Sequence, residues 1–168
     1  DTEGDEFVIT QIVEELYATA AQIAEVEQRM KAAPQPTIAI QLGSIKGAGQ
    51  IQPLIAAAEI GDLERFAGVD MANKVLAYAG CEPRVRESGK WKGTPKISKR
   101  GSPTLRSALY LMAVTIRLHA PAFNAVYKHQ IDKGKHHNVA LSHVVRKIVD
   151  VMCGMYKTKT LYIPPTIE

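Results

Sequence analysis

Aromatic side chains are scarce in this sequence: three Phe, six Tyr and one Trp make up 6% of 168 residues. The hydrophobic content of 46% still suffices for a core. That core must therefore be Ala, Val, Ile and Leu in close-packed helices. Cysteine is scarcer. Cys81 and Cys153 are far apart and form neither a disulfide framework nor a CxxC pair, which fits a reduced, cytoplasmic setting. No apolar run approaches the roughly 20 residues of a membrane span, and no signal peptide is visible. Strand-like alternation is absent too; "KWKGTPKIS", Lys90–Ser98, reads as a small hairpin at most. The length is that of one domain with an appended element. The first residue is Asp rather than Met, which suggests a piece of something longer.

What is abundant is positive charge, unevenly placed. Residues 1–36 hold eight acids against Arg29 and Lys31. Residues 37–168 hold nineteen Lys and Arg against nine acids. From Arg84 to Arg106 the chain carries eight bases, Arg84, Arg86, Lys90, Lys92, Lys96, Lys99, Arg100 and Arg106, against Glu87 alone. A field that concentrated suits a polyanion such as nucleic acid; the plainer reading is a solvated basic face.

Periodicity predicts helices nearly throughout. Ile9, Leu16, Ile23 and Met30 recur every seven residues, with Ile12, Thr19 and Val26 at the second seam position. That heptad pattern over Glu6–Ala32 suits a coiled coil or a helix docked on its own domain. A short apolar helix then leads into Gly47-Ala48-Gly49, and a second helix follows with Pro53 in its first turn. This is the pattern of a helix-hairpin-helix, or of an ordinary helical hairpin. In the first case, free amides at the second helix's start and Lys46 would hold a phosphate. A further helix runs from an Asp70 cap to Gly80. After the basic loop, Ser102-Pro103 starts a long helix whose apolar side is Leu105, Leu109, Met112, Ile116 and Leu118. Pro121 opens another through Asp132, and Val139 to Tyr156 is the last. The tail "LYIPPTIE" reads as loose. The expected fold is mainly α: a compact bundle containing a helix-hairpin-helix, with an N-terminal coiled-coil-like helix. Its domains are residues 1–36, an acidic heptad helix, and 37–168, the helical domain.

Ser88 stands in the middle of the basic loop. A hydroxyl becomes a useful nucleophile only with help from a base, a metal or a dense positive field. Attack on a phosphodiester adds negative charge to the phosphoryl oxygens, which the surrounding Arg and Lys residues would offset. No partner base and no GxSxG elbow accompanies the serine. The residues alone leave a catalytic Ser88 and an ordinary loop serine both open. His136-His137, with His129 and His143, complete no recognisable metal spacing and read as surface or phosphate-contacting groups. Trp91 would stack on a base or pack as a lid. Asp62 and Glu64 read as capping residues or as metal-binding acids.

Three segments together are more specific. "SIKGAGQIQPLIAAAEIGDLERF", "LAYAGCEPRVRESGKWKG" and "KISKRGSPTLRSALYLMA" resemble the C-terminal transposase domain of the insertion-sequence one-ten (one-sixteen / nine-oh-two) family over Leu42 to Tyr156. Those proteins are serine-dependent recombinases guided by a bridge RNA. The resemblance implies that Ser88, in the "SG" dipeptide after Gly80-Cys81-Glu82-Pro83, is the nucleophile of a phosphoserine intermediate. It implies that Lys99-Arg100-Gly101-Ser102-Pro103-Thr104-Leu105-Arg106 holds the backbone near it, and that Ser44–Gly49 is the family's glycine turn. Lys46 stands where the family has Pro, Ala48 for Ile, Pro53 for Ala and Cys81 for Leu, which makes the turn more basic and less apolar.

The same resemblance implies an N-terminal RuvC-like domain with four metal-binding acids, for which 36 residues leave no room. The expected partners are DNA, a guide (bridge) RNA and further copies of the chain, joined through the N-terminal helix, with no membrane. No cofactor or metal is expected in this chain; magnesium is expected in the RuvC-like domain. The setting implied is the bacterial or archaeal cytoplasm, at the nucleoid. By itself the chain should bind nucleic acid without recombining it. The expected site residues are Ser88 for catalysis and Lys46, Gly47, Gly49, Arg84, Arg86, Lys90, Lys92, Lys96, Lys99, Arg100 and Arg106 for nucleic acid. The alternatives are a non-catalytic helix-hairpin-helix module that only binds DNA or RNA, and a helical protein-interaction domain with incidental charge.

Overall fold

The computed structural model describes the backbone of residues 2–84, 87–88, 91–92 and 96–165, and side chains over 4–83 and 97–165. The fold is mainly α. Helices α1 (Thr2–Ala32), α2 (Thr37–Gly43), α3 (Ile51–Ile60) and α4 (Met71–Ala79) precede the basic loop; a 3-10 turn, Leu63–Phe66, joins α3 to α4. Four two-residue strands follow: β1 (Pro83–Arg84), β2 (Glu87–Ser88), β3 (Trp91–Lys92) and β4 (Lys96–Ile97). Helices α5 (Pro103–His119), α6 (Pro121–Asp132) and α7 (His137–Thr158) complete the chain. It divides into two compact units, Asp1–Pro34 and Gln35–Glu168. Among the described residues no helix is long and apolar enough to cross a membrane.

The first unit is a single helix. Its heptad residues Ile9, Leu16, Ile23, Ile12 and Val26 are all more than half exposed. Glu25–Arg29 and Glu27–Lys31 are i,i+4 ion pairs on its surface.

In the second unit α5 is the axis, packed against α3, α6, α7 and α4. Leu105, Leu109, Met112 and Ile116 are fully buried at helical spacing, opposite Leu141, Val144, Ile148 and Met152 of α7. Each such side chain contributes roughly 1.5–3 kcal/mol of burial. Phe123, Leu42, Ile45, Ile60 and Leu63 close the core. Gln41 is buried among them, and its Nε2 donates to the Met155 and Thr160 carbonyls at 2.8 and 3.1 Å. That amide ties α2 to the end of α7.

Several expectations change. Leu118 was placed on the apolar side of α5, but it is 63% exposed, because the core stripe ends with Ile116. Asp70 occupies the N-cap position of α4 in a left-handed conformation, and its side chain makes no capping hydrogen bond. The tail is not loose through residue 162. The Tyr162 amide donates to Ser44 Oγ at 2.9 Å, and its ring meets Phe123 with centroids 5.8 Å apart. Within Lys90–Ser98 the expected hairpin is replaced by two nested pairings. Trp91–Lys92 pairs back with Glu87–Ser88, and Lys96–Ile97 pairs with Pro83–Arg84.

Candidate nucleic-acid interface and serine loop

The basic loop is rooted where α4 ends and α5 begins. Helix α4 stops at Gly80, whose φ of 67° is left-handed and suits glycine. A Cβ there would meet Gly101 N at 2.7 Å and Arg106 Nη1 at 2.8 Å. One on Gly101 would run into the Tyr78 carbonyl and Gly80 N. The two strands of backbone therefore touch, and only paired glycines allow it. Ladder bonds seal the contact: Lys99 N donates to Gly80 O at 3.0 Å, Ser98 N to Glu82 O at 2.9 Å and Ser102 N to Tyr78 O at 2.8 Å.

Ser102 is the N-cap of α5, as its sequence predicts. Its Oγ accepts from Leu105 N at 3.0 Å and donates to Glu59 Oε2 at 2.6 Å, which also locks α3 to the loop root. Arg106, one turn further, donates from Nη1 to the Ala79 carbonyl at 3.0 Å. A cation on the last carbonyls of α4 complements the helix dipole. The Cys81 thiol beside it is pushed above its usual pKa by burial, with Arg106 acting in the opposite direction.

From this root the chain runs out as an antiparallel ribbon. Arg84 lies opposite Lys96 in the outer pair, and Ser88 opposite Trp91 in the inner one. The nesting sets Ser88 near the far end of the ribbon. Lys99, at φ 56°, and Arg100 are exposed on the returning strand just before α5. Arg86, Lys90 and the side chains of Arg84, Ser88, Lys92 and Lys96 lie outside the described residues. The structure thus joins Lys99, Arg100 and Arg106 at one root, with Arg106 engaged by backbone.

The Lys46–Gly49 turn stands elsewhere. Gly47, at φ 94°, packs on α5 so closely that a Cβ would meet the Thr115 carbonyl at 2.9 Å and His119 at 3.0 Å. Thirteen residues of α5 separate Arg106 from His119, about 20 Å at 1.5 Å per residue. The turn and the serine loop are therefore at opposite ends of α5. Gly49, at φ 74°, faces open space. Lys46 lines a cleft of about 250 Å³ with His119, Pro121 and Tyr162. Helix α3 begins at Gln50 with no side-chain cap, so its first amides are free of a capping side chain.

Among the described residues no group of three or more His, Cys, Asp or Glu is arranged to hold a metal ion. Asp62 instead caps the 3-10 turn by accepting from Glu64 N at 2.9 Å, and Glu64 accepts from Tyr156 OH at 3.0 Å.

Residues 39–128 match the family described as Transposase IS116/IS110/IS902. The chain is 26% identical, over 95% of its length, to an uncharacterized 42 kDa protein of insertion element IS900 from Mycobacterium paratuberculosis, and covers 40% of it. It is 29% identical over 72% of its length to a 44.8 kDa protein of insertion element IS116 from Streptomyces clavuligerus, covering 30% of it. A probable family 20 transposase of Pseudomonas aeruginosa is 30% identical over 61% of the chain.

Proposed function

This chain belongs to the IS116/IS110/IS902 transposase family, and from that premise we propose that it is the nucleophile-bearing domain of a DNA transposase. It spans well under half the length of its curated relatives, so the reaction belongs to a larger protein. Ser88 Oγ attacks the phosphorus of a DNA phosphodiester. The new Oγ–P bond replaces a P–O bond to the sugar, and the serine proton ends on the departing hydroxyl. A phosphoserine link conserves the bond energy for strand exchange.

The observation that carries this reading is the position of Ser88 on a ribbon rooted between Gly80 and Gly101, within the segment 39–128 that matches the family. Lys99 and Arg100, with Arg84, Arg86, Lys90, Lys92 and Lys96, supply positive charge for the phosphoryl oxygens. Arg106 holds the root and adds its charge from there. The turn Lys46, Gly47 and Gly49 contacts backbone further along the same nucleic acid. Magnesium and its RuvC-like acids, the bridge RNA, and assembly of copies through α1 complete the proposal, all with parts outside this chain or between copies of it.

The test uses the longer protein that contains this domain. Incubated with substrate DNA and denatured, it should run as a protein–DNA adduct, and Ser88→Ala should abolish the adduct while retaining binding. An adduct that persists in Ser88→Ala removes the catalytic serine. Binding without any adduct in the parent leaves the non-catalytic binding module as the function.

A further inference from the structure

The corner where α6 turns into α7 carries a second accumulation of charge that neither the serine loop nor the α2–α3 turn includes. Residues 127–149 hold Lys128, Lys133, Lys135, Arg146 and Lys147 against Asp132 alone, with four histidines besides. Residues 131–139 are all exposed. Among the described residues the only ion pairs are those of α1, so none of these bases is neutralised by a carboxylate.

The fold gathers them: Lys133 and Lys135 lie exposed in the turn that leads into α7, and His143 and Arg146 stand three residues apart on the exposed side of that helix. Burial foremost, then Lys135, Arg146 and Lys133, lowers the pKa of His143. The corner is also held by hydrogen bonds. His136 caps α7 by accepting at Nδ1 from Asn138 N at 3.2 Å, so that in the neutral ring Nε2 carries the proton. Tyr110 OH donates to Asn138 Oδ1 at 3.0 Å. Tyr127 OH lies 2.7 Å from His137 Nδ1, and the Arg117 guanidinium stacks 4.5 Å above the Tyr127 ring. Helices α5, α6 and α7 thus pin the corner from three sides.

Folding alone does not explain this arrangement. Cations near the end of α6 complement its dipole, but the start of α7 favours acids. Its first turn has none; His136 and His137 stand at its start, and Lys133 and Lys135 in the turn that precedes it. A positive helix end and cations without a carboxylate partner are the ingredients of a phosphate site; Arg146 keeps its charge while its Nη2 donates to Asn73 Oδ1 at 2.6 Å.

We infer that Lys133, Lys135, His136, His143 and Arg146 form a second nucleic-acid surface, which grips the phosphodiester backbone without reading bases. It rests on the reading that this domain acts on nucleic acid, and adds a contact region to it. A large assembly on DNA or RNA then has this corner as a cationic grip besides the serine loop and the Lys46–Gly49 turn.

The experiment measures binding of the full chain to a fluorescein-labelled 30-base-pair DNA duplex and to a labelled RNA hairpin, across salt. The double variant Lys133→Gln/Lys135→Gln should weaken binding of at least one probe by roughly fivefold or more. It should also make the log–log salt slope shallower by about 1.8, two contacts at ~0.9 each. Lys133→Arg/Lys135→Arg should restore both, since charge and not shape is at issue. The arm that responds identifies which nucleic acid sits there. If the parent chain binds and the double Gln variant matches it in affinity and slope, the corner is a solvated face and the inference fails. If the parent binds neither probe, the functional reading fails with it. Unchanged thermal melting of the variants separates charge loss from unfolding.

Discussion

Arg106 reaches 27 residues back along the chain to the Ala79 carbonyl, 3.0 Å from its Nη1. The sequence presents Arg106 as a charge for phosphate, yet its guanidinium is already committed to the end of α4. Arg106→Ala should therefore destabilise the fold by about 1–2 kcal/mol, through the lost charged hydrogen bond and dipole contact. Urea unfolding followed by circular dichroism checks this. A variant that loses DNA binding with no change in midpoint would show that the side chain acts on nucleic acid alone.

The glycines separate by what surrounds them. Gly101→Ala should be severe, costing about 4 kcal/mol or more, because its Cβ meets rigid backbone at Tyr78 and Gly80. Gly47→Ala adds a clash with the Thr115 carbonyl to a left-handed φ and should cost roughly 2–3 kcal/mol. Gly49→Ala has only the left-handed φ, with open space, and should cost about 1 kcal/mol. Thermal melts should follow that order, and equal losses at Gly47 and Gly49 would contradict the packing of Gly47 on α5.

Ser102→Ala removes both the cap of α5 and the hydroxyl donated to Glu59. The expected loss is about 1–2 kcal/mol. Ser102→Ala combined with Glu59→Gln should cost less than the sum of the two single changes, because the partners touch. Strict additivity in the double-mutant cycle would mean that the bond contributes nothing.

Burial, and secondarily Asp150, raises the Cys153 thiol from 9.0 to about 11. At pH 8 its thiolate fraction should be about 100-fold below that of an unfolded thiol. Iodoacetamide at pH 8 should therefore label Cys153 in urea and scarcely at all in buffer. The sign for stability follows. The unfolded thiol ionises first, so the protonated thiol's contribution is intact below pH 9 and is lost as pH rises towards 11. Rapid labelling of the native chain would show that Cys153 is not held in the α7 core.

Leu16 is 63% exposed on α1 and sits in the heptad seam. If α1 assembles copies of the chain, Leu16→Glu should shift the sedimentation coefficient to that of a monomer while leaving the melt of residues 35–168 unchanged. A parent chain that already sediments as a monomer at high micromolar concentration would remove the assembly role.

Local signals carried most of the helices. Ser102-Pro103 announced the start of α5, Gly80 the end of α4, and the seven-residue repeat the long α1, because capping and periodicity act over a few residues. The same locality explains the misses. Leu118 continues an apolar spacing whose partner surface has ended, and Tyr162 follows a turn with no local reason to stay. Lys133, Lys135 and Arg146 were legible only as a count of bases, since nothing in sequence says that the fold leaves them exposed and, among the described residues, without a carboxylate partner.

The sequence by itself determined a mainly α chain with an acidic heptad helix, a basic loop around Ser88 and a motif order that points to its family. These depend on residue type and near-neighbour spacing, which survive without a fold. Only the tertiary structure decided that the glycine turn and the serine loop stand at opposite ends of α5. It also decided that Gly80 and Gly101 meet, that Arg106 is a clamp, and that the α6–α7 cations share one corner. The first three rest on contacts between residues distant in the chain, fixed by how helices pack around α5 rather than by any local preference, and the last on the turn that joins α6 to α7.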